Sequence, residues 1–340
     1  IIILRNMEIS KYPFKRVLVT GGAGFIGSSF IQQLSNLDNN IQIVNIDNIS
    51  YAASSNTLKL LEKLPNYSHL NIDITDTAKL HEAVKAFHPE LLINFAAESH
   101  VDNSIKSASP FINTNIIGTF NLLESIKSLP DMNKFLFHHV STDEVYGDLE
   151  KSDLPFTEST QYQPSSPYSA SKAASDMLVL AWGRTYKIPY LITNCSNNFG
   201  PRQFLEKFIP KIIFNSLNGI EVPIYGDGMN IRDWIYVEDH VDVILQLHSK
   251  SIKNDCVNIG SNCEKSNIEI LSTISKILEK KYSIKVKYSY VEDRIGHDKR
   301  YAIDMSKAEM LLNKEIRHNF NANMEKTIEW YINNPEWWQN

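Results

Sequence analysis

The chain has 340 residues, 43% of them hydrophobic, and a formal charge of −5 with no long basic run. That composition supports a sizeable core, as one large α/β domain or two smaller ones, and argues against nucleic acid or an anionic membrane as a partner. The three cysteines (Cys195, Cys256, Cys263) are odd in number and lack zinc-type spacing. Buried thiols in a reducing, cytoplasmic setting are therefore expected, with no metal site and no disulfide framework. The apolar start Ile1 to Leu4 is too short for a signal sequence or a membrane span; residues 1 to 6, ahead of Met7, are set aside as an upstream remnant.

Strands are predicted over Arg16 to Thr20, Ile41 to Asp47, His69 to Asn71, Leu91 to Ala96, Phe135 to Ser141 and Tyr190 to Asn194. Helices are expected to begin near Gly24, Thr57, Asp76, Pro110 and Ser169, with Asp76 and Asp102 as N-cap residue types and Pro110 suited to a first turn. This alternation is the pattern of βαβ units on a doubly wound parallel sheet. After residue 195 the regularity breaks at Pro201, Pro210, Gly219, Pro223, Gly226 and Gly228, as in a smaller substrate-holding lobe. The expected division is thus 7–195 for a dinucleotide-binding domain and 196–340 mainly for the lobe, with some later segments returning to the first. No repeat or low-complexity linker separates them, so a shared cleft is expected at the carboxyl ends of the strands.

The first strand runs into a glycine turn in which Gly21, Gly24 and Gly27 stand three apart around Phe25 and Ile26. Such a turn cradles a pyrophosphate on a helix N-terminus. Asp47 ends the next strand twenty residues after Gly27, with Asn48 following. An acid there hydrogen-bonds a ribose diol and repels a 2′-phosphate, which predicts NAD rather than NADP.

The strand ending at Ser141 continues into Thr142-Asp143-Glu144, a hydroxyl and two adjacent carboxyls at the ligand edge. Burial and like charge can separate the proton affinities of two such acids, leaving one as acid and one as base. Tyr168 and Lys172 follow, four apart at a helix start and so on one face. A tyrosine working as base near neutrality needs its pKa lowered by about 3 units, roughly 4 kcal/mol, from a nearby cation. Lys172 and a nicotinamide charge are the candidates. His138-His139 lies inside a strand and is read as structural.

Together the glycine turn, the acid pair and Tyr168-x-x-x-Lys172 resemble the extended short-chain dehydrogenase/reductase superfamily. Within it the chain is most similar to the nucleoside-diphosphate-glucose 4,6-dehydratases, the dTDP-glucose and UDP-glucose enzymes that begin rhamnose and other deoxysugar pathways. The matching segments are 94–102, 141–147, 194–198, 206–210, 224–234 and 296–298, with the tail Asn334-Pro335-Glu336-Trp337-Trp338. The resemblance implies a Rossmann-like NAD-binding sheet with a sugar-nucleotide lobe and a homodimer through helices near 110–128 and 169–186, where Ile116, Ile117, Leu122, Leu123, Met177, Leu178 and Leu180 ask for more than one buried face.

It also implies a chemistry. Tyr168 deprotonates the C4 hydroxyl as hydride passes to NAD, with Thr142 on that oxygen and Lys172 supporting tyrosinate and ribose. Glu144 then removes the C5 proton while Asp143 protonates the departing C6 hydroxyl, and the hydride returns to C6 as C5 is reprotonated. By the same resemblance Asp73, Ile74, Ala96, Ala97 and Thr114 border the cofactor, while Ser99, Asn197, Glu206, Lys207, Pro223, Tyr225, Arg232, Asn267, Arg294 and His297 hold the nucleotide sugar. Read without it, Asn197 and Asn267 are turn formers, Lys207 a surface charge, and Arg232 a partner for Asp233 or Asp239. His100 is expected to pack or hydrogen-bond rather than catalyse.

Three positions depart from the dTDP-glucose branch: Asn103 for arginine, Gln203 for histidine and Ile295 for proline. The first two resemble the UDP-glucose branch and tip the expectation toward UDP-glucose, with dTDP-glucose the close second. A UDP-sugar 4-epimerase or a decarboxylase of the superfamily has no need of Asp143-Glu144, because neither expels water from C6. A non-catalytic NAD-binding regulator has no need of the tyrosine, lysine, threonine and both acids together.

Overall fold

The computed structural model describes residues 12–51 and 53–338; residues 7–11, 52 and 339–340 of the expected divisions lie outside these. Twelve strands occur among them: β1 (Arg16–Thr20), β2 (Gln42–Ile46), β3 (Tyr67–Leu70), β4 (Leu91–Asn94), β5 (Leu136–Thr142), β6 (Tyr190–Cys195), β7 (Asn197–Phe199), β8 (Val222–Tyr225), β9 (Ile231–Tyr236), β10 (Asp255–Ile259), β11 (Glu264–Ser266) and β12 (Tyr288–Val291). The six predicted strands are β1 to β6, each within two residues of its expected ends.

Seven strands form one parallel sheet in the order β10-β6-β5-β4-β1-β2-β3. The order reverses between β1 and β4, and the rule for such sheets places ligands at the carboxyl ends around that crevice. Both faces are covered. Val17, Val19, Ile43, Ile93, Leu136 and Leu191 pack with Phe30, Ile31, Leu34 and Ile244 on one side. Leu18, Ile46, Leu92, Phe137 and Ile192 pack with Leu80, Leu122, Leu123 and Val179 on the other. Alternate residues of β1 thus enter different cores, which is why these strands read as unbroken apolar runs.

Beyond β6 the chain alternates between two places. Strand β10 returns to the edge of the large sheet beside β6, and the helix Val237–Ser249 packs on the helix Phe25–Leu37. Around them β11-β9-β7 and β12-β8 form two small sheets over a separate core of Phe199, Ile209, Ile213, Trp234, Ile270, Ile274, Met324 and Tyr331. Among the described residues no helix is long and apolar enough to cross a membrane.

The helix starts follow the expected chemistry with one correction. Asp76 caps Thr77–Phe87 through the Lys79 amide, and Pro110 sits in the first turn of Ser109–Phe111. Asp102, however, lies inside the helix Val101–Lys106. The cap there is His100, whose Nδ1 accepts from the Asn103 amide at 3.4 Å, because an unprotonated imidazole nitrogen does the work of a carboxylate oxygen.

Candidate active site

The glycine turn has the form a pyrophosphate site requires. Gly21 adopts φ +71°, and a Cβ on it would stand 2.6 Å from the Ala96 amide nitrogen. A Cβ on Gly27 would stand 2.5 Å from the Gly21 carbonyl oxygen, so helix Phe25–Leu37 could not settle against the turn. Gly24 caps that helix without a side chain, leaving its amides directed at the cleft, and Gly21 and Gly24 border two adjoining cavities of about 260 and 100 Å³. Asp47 borders the smaller one with Asn48, Asp73, Ile74, Ala96, Ala97 and Thr114. Its two carboxyl oxygens accept from the Ala23 and Ile49 amides, each at 2.9 Å, which ties the carboxyl to the glycine turn. These features fit a dinucleotide: a bare backbone cradle for the diphosphate and a fixed acid at the ribose end.

Thr114 stands on an unusual element. Residues Ile112–Gly118 form a single π-helical stretch, a device that re-aims side chains at functional sites. Asn115 within it accepts from the Glu98 amide at 2.9 Å and donates to the Glu98 carbonyl at 3.0 Å and to Ser171 Oγ at 2.8 Å. It thereby clamps the loop after β4 to the helix Pro167–Tyr186. Nothing in the spacing of the sequence singles out Asn115.

Strand β5 carries the acid pair to the carboxyl edge. Thr142 Oγ1 accepts from the Glu144 amide at 3.3 Å and starts the 3-10 turn Asp143–Tyr146. Asp143 is 1% exposed; Thr142 Oγ1 donates to its Oδ1 at 3.2 Å, and its Oδ2 is buried without a partner. Burial, then the charges of Glu144 and Asp233, push its carboxyl well above the usual range. Glu144 is also raised by burial, but Arg232, Arg294 and Lys207 draw it back down. Asp143 therefore keeps its proton to higher pH than its neighbour, the division of labour an elimination needs.

Helix Pro167–Tyr186 begins with a capping box between Ser166 and Ser169 and proline at its first position, which sets the first turn and with it Tyr168. Lys172 is buried; its Nζ donates to the Val140 carbonyl at 2.9 Å and lies 3.4 Å from His139 Nε2. The expectation that Lys172 lowers the tyrosine needs correcting for the protein alone. Burial, then the charges of Glu144 and Cys195, raise the Tyr168 phenol well above its ordinary value, although Thr142 hydrogen-bonds it. One lysine, itself held down by burial, does not outweigh that sum. His139, read as structural, lies beside that lysine.

The larger cavity is bordered by all five of these groups, by Gly21, Gly24, Phe25, Ile26, Gly27 and Ala97, and by Ser99, Asn197, Glu206 and Lys207. Lys207 is no free surface charge: its Nζ donates to the Ser99 carbonyl at 2.7 Å, and burial holds the amine below its ordinary value. Asn197 Oδ1 is buried without a partner, and Glu206 lies 3.8 Å from His100. Cys195, Ser196, Gln203 and Phe204 also border the cavity and were not singled out from sequence as binding residues.

The remaining predicted contacts gather beyond it. Arg232 is 6% exposed and lies flat over the Tyr301 ring at 4.2 Å, donating to the Ile231 and Asp298 carbonyls at 2.7 and 2.9 Å. It pairs with neither nearby acid. Asp233 accepts from Ser261 and Cys263, and Asp239 from His318 and Asn323. Arg294 meets Asp102 at 3.5 Å, Tyr225 donates to the same carboxylate at 3.3 Å, and His297 bonds Asp293 at 2.7 Å. Pro223 lies in β8, and Asn267 is the first residue of the helix Asn267–Tyr282 rather than a turn former. Among the described residues no group of acids, histidines and cysteines could hold a metal ion.

Comparison with known proteins agrees with this geometry. The family described as GDP-mannose 4,6 dehydratase matches residues 18–327. The chain is 46% identical to a dTDP-glucose 4,6-dehydratase of Neisseria meningitidis, over 96% of each. It is similar in structure to the Bacillus anthracis dTDP-glucose 4,6-dehydratase solved with NAD, at 40% identity and a TM-score of 0.86, over 95% of this chain and 98% of that one. The Streptomyces venezuelae enzyme solved with NAD gives 37% identity and a TM-score of 0.88, over 95% and 99%. With a dinucleotide cradle, a tyrosine and lysine, and two adjacent buried acids in one cleft, the chain belongs to the nucleoside-diphosphate-glucose 4,6-dehydratases of the extended short-chain dehydrogenase/reductases, NAD-dependent lyases that form the 4-keto-6-deoxy sugar.

Proposed function

We propose that the substrate is dTDP-glucose and that the five groups at the carboxyl edge divide the reaction among them. The observation that carries the division is the buried Asp143, its carboxyl raised well above the ordinary range, beside Glu144 in the cavity that also holds Tyr168 and Lys172. Bound NAD supplies a two-electron store, so that C4 is oxidised first and C6 reduced last. Tyr168 takes the C4 hydroxyl proton, Thr142 orients that oxygen, and Lys172 stabilises the tyrosinate once the nicotinamide charge is alongside. The ketone acidifies C5, Glu144 accepts the C5 proton, and Asp143 gives its own proton to the C6 hydroxyl, which leaves as water. Arg232 is placed as the diphosphate partner: a buried guanidinium stacked on a ring, with no carboxylate of its own. Lys207, Asn197, Asn267, Arg294 and His297 complete that proposed subsite.

The preference for dTDP over UDP replaces the expectation drawn from Asn103, Gln203 and Ile295. Ile295 is 82% exposed and forms no part of the cavity wall, so that departure says little about the base, whereas Asn103 gives only its backbone amide to the His100 cap and its side chain hydrogen-bonds Tyr51. The relatives at 43% to 46% identity are dTDP-glucose enzymes. Mass spectrometry of the purified enzyme with each sugar nucleotide, no NAD added, tests both assignments. Loss of one water is expected from both or from dTDP-glucose alone, with dTDP-glucose faster. Faster loss from UDP-glucose reverses the base assignment, and no loss from either, even with added NAD, removes the dehydratase assignment.

A homodimer is supported by Ile112 (43% exposed), Ile117 (44%), Phe120 (38%) and Met177 (49%), which lie on the adjoining helical segments 112–126 and 167–186 named for the interface. Leu122 and Leu123 are instead fully buried on the sheet. The wild-type protein is expected to sediment as a dimer and Ile117→Glu with Phe120→Glu as a monomer; a wild-type monomer removes the dimer, and a variant that stays dimeric moves the interface elsewhere.

A further inference from the structure

Behind Lys172 lies an acid that the chemistry above does not use. Asp176 is four residues beyond Lys172 and eight beyond Tyr168, so the three follow one stripe of the helix Pro167–Tyr186. Lys172 is 3% exposed and Asp176 0%. A carboxylate so far from water is costly unless it is held by donors and by an opposite charge. Its Oδ2 accepts from Ser141 Oγ at 2.8 Å, the Tyr162 hydroxyl at 3.0 Å and the Asn194 amide at 3.4 Å, all neutral donors. Its Oδ1 lies 3.4 Å from His139 Nε2, the same nitrogen that lies 3.4 Å from Lys172 Nζ. Among the described residues no lysine or arginine forms an ion pair with Asp176 and no acid forms one with Lys172, so each finds its opposite charge across one imidazole.

That imidazole is neutral, and its tautomer follows from its neighbours. Thr20 Oγ1 donates to Asn94 Oδ1 at 2.5 Å, which turns the Asn94 amide nitrogen toward His139 Nδ1 at 3.2 Å. Nδ1 therefore accepts, and the ring proton sits on Nε2, directed at Ser175 Oγ at 3.2 Å, whose own hydrogen goes to the Lys172 carbonyl, and at Asp176; the Lys172 ammonium is then a neighbouring charge of Nε2 and not its hydrogen-bond donor. Burial, then the Lys172 charge, holds the ring down to about 4.

We propose that Asp176 is the fixed counter-ion of Lys172, a positioning residue whose buried charge, spaced by the neutral His139, keeps the lysine protonated while Tyr168 acts as base. This rests on the roles given above to Tyr168 and Lys172. Burial lowers the proton affinity of Lys172, and Asp176 is the first of the charges that restore it. The other titratable groups around the pair do not compete. Burial pushes the thiols of Cys195 on β6 and Cys256 on β10 up to about 12, and it raises the phenols of Tyr146 and Tyr162 on the loop side as well. The oppositely charging groups left between helix and sheet are Lys172 and Asp176, with Glu144 facing Tyr168 from the cavity.

Asp176→Asn keeps the shape and removes the charge. In the NAD-bearing enzyme, the single-turnover rate of C4 oxidation, read as nicotinamide absorbance, is expected to fall off about one pH unit or more earlier on the alkaline side. Tyr162→Phe strips one hydrogen bond from the same carboxylate without touching its charge, and its profile is expected to stay in place. An unmoved limb in Asp176→Asn, or an equal shift in both variants, overturns the proposal. Thermal melting of Lys172→Met, Asp176→Asn and the double variant gives a readout independent of turnover. The double variant is expected to melt higher than Asp176→Asn alone, because the stranded lysine charge is gone; additive losses overturn the pairing. Should Asp176→Asn fail to fold, recovery of the fold in the double variant supports the pairing, and failure of both overturns it in favour of packing. Wild-type turnover is measured first: its absence counts against the catalytic assignments, whereas the melting cycle still reads the ion pair.

Discussion

Tyr168→Phe is expected to lower kcat by about 10²- to 10⁴-fold, the span of a lost general base, with KM for the nucleotide sugar nearly unchanged. The phenol is buried against Phe111, and its hydroxyl meets Thr142 and the charge of Glu144. Phenylalanine preserves that packing and removes only the proton acceptor. The block falls at the first step, so no reduced-nicotinamide absorbance appears when substrate is mixed with enzyme. Because burial and Glu144 hold the tyrosine above its ordinary value in the protein alone, the wild-type enzyme is also expected to bind substrate more readily than it begins to oxidise it. Absorbance that still rises at the wild-type rate in Tyr168→Phe would assign the proton transfer to another group.

Glu144→Gln is expected to show the opposite pattern. C4 oxidation proceeds, reduced-nicotinamide absorbance builds up and persists, and water loss falls by about 10²- to 10⁴-fold. The variant also loses exchange of the C5 hydrogen with deuterated solvent, while Asp143→Asn retains that exchange and loses water expulsion. The pH dependence follows from the directions of the two shifts. Glu144 must be ionised, so kcat rises as pH climbs through its raised value. Asp143 must carry its proton, so kcat falls as pH climbs through its own, higher value. The linkage to stability has one sign for both: an acid whose folded pKa is raised favours the fold fully below its unfolded value and loses that contribution as pH rises through the folded one. Asp143→Asn is therefore expected to flatten the alkaline decline of both kcat and melting temperature. A decline unchanged in both assigns it to another group. Equal loss of C5 exchange in the two variants removes the separate roles.

Much of the fold was legible because βαβ units write themselves locally. Apolar runs of five to seven residues marked β1, β2, β4, β5 and β6, β3 was marked only by the three residues His69 to Asn71, and Asp76 and Pro110 marked helix starts through chemistry that needs no distant partner. The His100 cap was not legible, since an imidazole replaces a carboxylate only when its ring is kept unprotonated. Burial, then the Lys207 charge, holds that ring down to about 4. The return of β10 to the sheet was equally hidden, because its apolar run resembles any other and only pairing with β6 identifies its place.

The sequence by itself marked the glycine turn and the candidate reacting groups. Gly21, Gly24 and Gly27, like Tyr168 and Lys172, work through spacings of a few residues along one turn or one helix face, and such spacings survive into any fold that forms the element; Asp47 was legible because it ends the next strand of the same βαβ unit. Tertiary structure alone decided what those groups experience. Asp143 holds its proton because β5 buries it beside Glu144 and Asp233, residues one and ninety positions away. Lys172 faces Asp176 across His139, which comes from a different element thirty-three residues earlier. Proton affinity depends on burial and on the summed field of charges drawn from the whole chain, and both exist only after the layers have closed.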